Sequence, residues 1–108
     1  MNMTIHNLND FKGGWVVGDF EPSLIQSRDA EVSVKHYKKD DVEQAHVHKI
    51  ADEITIIVSG NVIMNGRLLT ANDIVFLPAG EPATFVALTD AITCVIKSPS
   101  IKGDKYTL

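Results

Sequence analysis

The sequence predicts an all-β fold, a sandwich or barrel, and three observations lead there. Short apolar segments alternate with period 2, as Val32 and Val34 do with Ser33 and Lys35. Turn residues punctuate the chain at near-regular intervals, with Asn65-Gly66 the clearest. No stretch carries a convincing 3.6-residue apolar period. A chain of 108 residues suits one domain, because a single core of that size buries roughly 65 % of the unfolded chain's surface.

Residues 1–13 are polar and run into Gly13-Gly14, which reads as a flexible lead-in. Trp15-Val16-Val17 is a short strand closed by Gly18-Asp19. The barrel core is expected over residues 30–97. It starts with the alternating segment at Val32 and turns at Asp40-Asp41. The extended run Gln44-Ala45-His46-Val47-His48 follows. Glu53 to Ser59 is rich in β-branched residues, which suit a pleated surface, and stops at Gly60. Val62-Ile63-Met64 and Leu68-Leu69 flank the Asn65-Gly66 hairpin. Further strands run from Ile74 to Leu77, Thr84 to Leu88 and Ile92 to Ile96. The last residues, 98–108, hold Pro99 and Gly103 and are expected to be irregular.

Ten basic and fourteen acidic side chains give a formal charge of −4. That balance argues against nucleic acid, whose binding rests on concentrated basic surface. No segment reaches the roughly 20 apolar residues of a membrane helix, and the amino terminus shows no basic region followed by an apolar stretch. The single Cys94 forms no internal disulfide, so no oxidising compartment is required. A cytoplasmic protein with neither nucleic-acid nor membrane partners is the expectation.

The informative segment is His46-Val47-His48-Lys49-Ile50-Ala51-Asp52-Glu53. Residues i and i+2 of a strand share a face, so His46 and His48 present both imidazoles to one side. Four residues turn the chain, and Glu53, in phase with Thr55 and Ile57, opens the next strand toward the same point. Two neutral imidazoles and a carboxylate suit a divalent ion, Fe, Mn, Zn, Ni or Co, and leave open positions for water or substrate. The plain alternative for an isolated H-x-H is a partly solvated surface pair.

Extended to Gly60, this pattern resembles the first motif of the cupin superfamily: H-x-H, three or four residues, E, six residues, G. His46, His48, Glu53 and Gly60 match it throughout. The second motif is G, five residues, P-x-G, two residues, H. Asn72 stands at its first glycine, Pro78-Ala79-Gly80 matches P-x-G, and Ala83 stands where the closing histidine is expected. The resemblance implies a double-stranded β-helix, or jelly-roll barrel. It also implies a metal held by the two histidines, the glutamate and a later histidine that this chain lacks.

Four residues are read as lining the pocket. His36 shares parity with Val32 and Val34 and is either a rim residue or a compensating ligand. Gln44 is in phase with His46 and His48, Thr55 with Glu53, and Ala83 marks the missing ligand. Trp15 covers either a barrel mouth or an interface.

The favoured reading is a small-molecule-binding cupin with a divalent-metal site, its chemistry that of an oxygenase or isomerase. The alternatives are a metal-free barrel resembling sugar-nucleotide isomerases or epimerases, with a histidine as general base, and a non-enzymatic ligand-binding barrel. Exposed sheet edges point to a homodimer, with the segment around Trp15 as the candidate contact.

Overall fold

The fold is seen in a computed structural model that describes residues 2–108; Met1, first residue of the polar lead-in, lies outside them. Among the described residues the strands are β1 (Trp15–Gly18), β2 (Ile25–Gln26), β3 (Glu31–Tyr37), β4 (Val42–Val47), β5 (Asp52–Ser59), β6 (Val62–Met64), β7 (Arg67–Leu69), β8 (Ile74–Leu77), β9 (Ala83–Ala87), β10 (Ala91–Ser98) and β11 (Tyr106–Thr107). They form one six-stranded sheet, β2-β1-β3-β10-β5-β8, and one five-stranded sheet, β11-β4-β9-β6-β7. Every pairing is antiparallel except β1 with β2.

Local chemistry explains the corners. Asn65 and Gly66 both take positive φ, 48° and 74°, the conformation of a two-residue turn whose twist matches the hairpin β6–β7. Gly60 has φ 88°, and a Cβ there would lie 2.3 Å from the Asp90 carbonyl oxygen, so the glycine is a packing requirement.

Residues from both sheets meet in one core: Ile57, Leu77 and Ala91 from the first, Val62, Met64, Ala83, Phe85 and Ala87 from the second. Beside that core, the inner surface of the first sheet is polar. β3 turns Glu31, Lys35 and Tyr37 into a cavity, and β10 adds Thr93 and Lys97. The valines of β3 therefore face outward, only half-buried.

This reverses the expected parity at His36. Apolar alternation marks the inner face only where the interior is apolar, and here it is not. His36 is exposed and does not line the barrel cavity.

The two chain ends also differ from expectation. Leu8–Asp10 and Lys12–Gly14 form short 3₁₀ turns, the first with a capping box between Asn7 and Asp10. The tail contains strand β11, which pairs with β4 beside His46 and Val47. No helix is long and apolar enough to cross a membrane among the described residues.

Candidate functional site

A cavity of about 290 Å³ opens between the sheets. His46, His48, Glu53, Thr55 and Ala83 all line it. His46 comes from β4, and His48 from the first residue beyond that strand. Glu53 and Thr55 are successive inward residues of β5. Ala83 on β9 sits directly across from His46, so the position of the absent histidine adjoins the first motif.

Gln44 is exposed and does not line the cavity. The register between β4 and β9 shifts between Glu43 and His46, which sit opposite Phe85 and Ala83 respectively. That bulge adds one residue to β4, so Glu43 points inward although it lies three residues from His46. The backbone carbonyl of Gln44 still serves the site by accepting from His46 Nδ1 at 2.9 Å.

Both imidazoles are fixed in the same way. A carbonyl can only accept, so His46 donates from Nδ1 to Gln44 and His48 donates from Nδ1 to the carbonyl of Asp104. In the neutral rings, each Nε2 then keeps its lone pair. His48 Nε2 lies 3.6 Å from Glu53 Oε1, and the two ring centroids are 5.1 Å apart. Burial lowers the His48 pKa below the ordinary histidine value, with Lys97 and His46 adding to the effect. The Asp104 carbonyl and Glu53 oppose it without reversing it. His48 is therefore neutral near pH 7, as a metal ligand or a base must be.

The short loop between His48 and Glu53 is held from a distance. Asp104 is buried, and its carboxylate accepts from three successive backbone N–H groups. Lys49 donates to Oδ1 at 2.9 Å, Ala51 to Oδ2 at 2.9 Å, and Ile50 to both oxygens at 3.2 and 3.1 Å. Burial alone would push the Asp104 carboxyl up, but the Ala51, Lys49 and Ile50 donors outweigh it. With His48 nearby, its pKa falls below the ordinary carboxylate value. Sequence reasoning missed this residue. Its partners lie more than fifty positions away, and only Gly103 before it hints at a built turn.

The remaining wall mixes aromatic and charged groups. Tyr37 donates its phenol to Glu43, and its ring lies 4.4 Å from that of Phe85. Burial, then the Glu43 hydrogen bond, pushes the Tyr37 pKa far above the ordinary phenol value. Trp15 lies over the cavity, edge-on to Phe20, with Lys35 and Lys97 about its ring at 5.0 and 4.9 Å from the centroid. That places Trp15 at the cavity wall, the first of its two expected positions.

Whether these residues suit a metal ion depends on donor chemistry and on placement. The donors fit: two imidazoles whose Nδ1 atoms are engaged by backbone carbonyls, and one buried carboxylate. No preformed cage exists among the described residues, where no three His, Cys, Asp or Glu side chains stand close enough together to hold a cation.

Two sheets, a polar-lined barrel and the H-x-H…E site together define a cupin-type double-stranded β-helix, and solved structures agree. The chain is similar to KdgF from Halomonas sp. at 25 % identity and TM-score 0.64, covering 70 % of this chain and 74 % of that one. It is similar to an RmlC-like cupin from Shewanella frigidimarina at 23 % identity and TM-score 0.65, covering 69 % and 70 %. It is also similar to the DMSP lyase DddQ from Ruegeria pomeroyi at 21 % identity and TM-score 0.72, covering 86 % of this chain and 49 % of that one. This chain has the cupin fold. No family model and no curated protein matches it.

Proposed function

We propose that the barrel is a small-molecule site built on a divalent-metal centre held by His46, His48 and Glu53. The observation that carries this reading is the fixing of both Nδ1 atoms by backbone carbonyls, which leaves two Nε2 lone pairs at a cavity shared with a buried carboxylate. A ring held in this way is the usual outer support of a metal-bound histidine. With Ala83 in place of a fourth donor, a bound ion keeps open positions, and it supplies Lewis-acid or redox chemistry to a ligand oxygen. One neighbour of the same fold is named as a lyase, which supports a catalytic use of such a cavity. The reaction class is that of a metal-dependent oxygenase, isomerase or lyase on a small molecule. The protein acts as a homodimer with neither nucleic-acid nor membrane partners.

The test is metal content of protein purified without chelator, followed by calorimetric titration of the chelated protein with Ni(II) or Co(II). One ion per chain, lost in the His46→Ala, His48→Ala double variant, is the expected result. Equal uptake by the double variant would overturn the reading. A second reading is favoured by the absence of a preformed cage and by the 3.6 Å approach of His48 to Glu53. In it, His48 acts without metal as a general base oriented by Asp104 and assisted by Glu53. No uptake by the unsubstituted protein selects this reading.

A further inference from the structure

The cavity contains cations that its own carboxylates do not neutralise. Lys12, Lys35, Lys97 and Lys105 line it together with Glu21, Glu31, Glu43 and Glu53, so the formal charges balance. The pairing does not. Glu31 lies 3.2 Å from Lys97 and accepts from Ser100 at 3.0 Å. Glu43 accepts from Tyr37, Glu53 faces His48, and Glu21 is exposed. Among the described residues the Lys35 ammonium has no carboxylate within 4.0 Å and donates no hydrogen bond.

Lys35 is half-buried, with its ammonium beside the Trp15 ring. Directly across the sheet is Thr93, which also lines the cavity and whose buried hydroxyl has no partner among the described residues. A half-buried ammonium with no carboxylate against it is costly unless an acceptor arrives. Burial lowers the Lys35 pKa below the ordinary lysine value; the more distant charges of Glu43 and Glu53 oppose this, and those of Lys105 and Lys97 add to it.

We propose that the cavity selects a small organic anion. Lys35, flanked by Lys97 and Lys105, binds its carboxylate or phosphate oxygens, and its apolar body rests against Trp15 and Phe85. A lysine is a compact point charge that accepts either oxyanion without demanding a planar one, and the indole and phenyl rings supply flat apolar surface. The volume matches about ten waters, hence a ligand of about ten non-hydrogen atoms. The inference rests on the cavity being the small-molecule site, but not on the metal ion.

The experiment uses ¹⁵N-labelled full chain, chelated and at constant ionic strength, titrated with benzoate, with its neutral isostere benzamide, and with inorganic phosphate. Saturable shifts of the Thr55 and Thr93 amides are expected for an anion, with benzoate or phosphate bound at least about tenfold more tightly than benzamide. Lys35→Met should abolish that preference and Lys35→Arg should retain it. Tighter binding of benzoate identifies a carboxylate as the recognised group, and tighter binding of phosphate identifies a phosphate. Equal binding of benzoate and benzamide by the unsubstituted protein, with no response to phosphate, would overturn the proposal. So would a preference that survives Lys35→Met. Because the titration is run on chelated protein, the anion preference is read without metal, which separates failure of this inference from failure of the metal centre.

Discussion

Replacing Asp104 by alanine tests how the tail supports the site. The substitution removes the acceptor for the N–H groups of Lys49, Ile50 and Ala51. A hydrogen bond to a charged group contributes about 1.5–3 kcal/mol, and a buried donor left unmet costs about 1–3 kcal/mol. Lys49 and Ile50 are exposed, so water replaces much of their loss, whereas Ala51 is only 4 % exposed and has no such recourse. The expected cost is about 3 kcal/mol, or roughly 12–15 °C in Tm for a chain of this size.

The same carboxylate sets an acid limb. Its folded-state pKa is lowered, so its contribution is fully present above the unfolded value and is lost as pH falls through the folded one. The loss lies below pH 3.8, the ordinary value for this group. Asp104→Asn keeps one acceptor oxygen but turns an amide NH₂ against the remaining donors, so it should recover less than half of the loss and flatten the acid limb. Urea melts of the three proteins at pH 7 and pH 3 measure both effects. A cost below about 0.5 kcal/mol for Asp104→Ala, within the range of an ordinary surface substitution, would refute the argument that this carboxylate organises the loop.

Three further outcomes follow from the geometry. Ala83→His places a third imidazole directly across from His46, and metal titration should show affinity raised by roughly tenfold or more; unchanged affinity would separate Ala83 from the ligand sphere. Gly60→Ala forces a Cβ within 2.3 Å of the Asp90 carbonyl at φ 88°, and a loss of about 2 kcal/mol or more in urea melts is expected; a loss under half of that would contradict the packing. The outer face of the first sheet carries the cross-strand rows Val34–Cys94–Ile56–Ile74 and Val32–Ile96–Ile54–Phe76, with Ile74 and Phe76 65 % and 59 % exposed. Ile74→Lys with Phe76→Lys should convert a dimer into a folded monomer by light scattering; a monomer already present in the unsubstituted protein at micromolar concentration would remove this face as the contact.

What the sequence made legible was local. Asn65-Gly66 specifies its hairpin because both residues accept positive φ. The spacing from His46 through Glu53 needs only one strand, a short loop and the next strand. What it concealed depends on register and on distant partners. Gln44 and Glu43 exchange places because a bulge in β4 is defined only against β9. His36 and Lys35 exchange faces because β3 puts its valines outside and its polar residues around the cavity. Asp52 belongs to neither class: its carboxylate accepts from the Ala79 N–H at 2.8 Å, joining the loop before Glu53 to the P-x-G turn, a link that two separately read motifs do not disclose.

The attachment of β11 and Asp104 to the His48–Glu53 loop also has a kinetic consequence. β11 is only two residues long and lies at the edge of its sheet, the kind of element that opens locally long before global unfolding. When it opens, His48 loses its Nδ1 acceptor and three loop amides lose theirs in the same event. Amide hydrogen exchange at Lys49, Ile50 and Ala51 should therefore share one opening free energy with Tyr106 and Thr107, and that opening sets how often the ligand pair is released from its alignment.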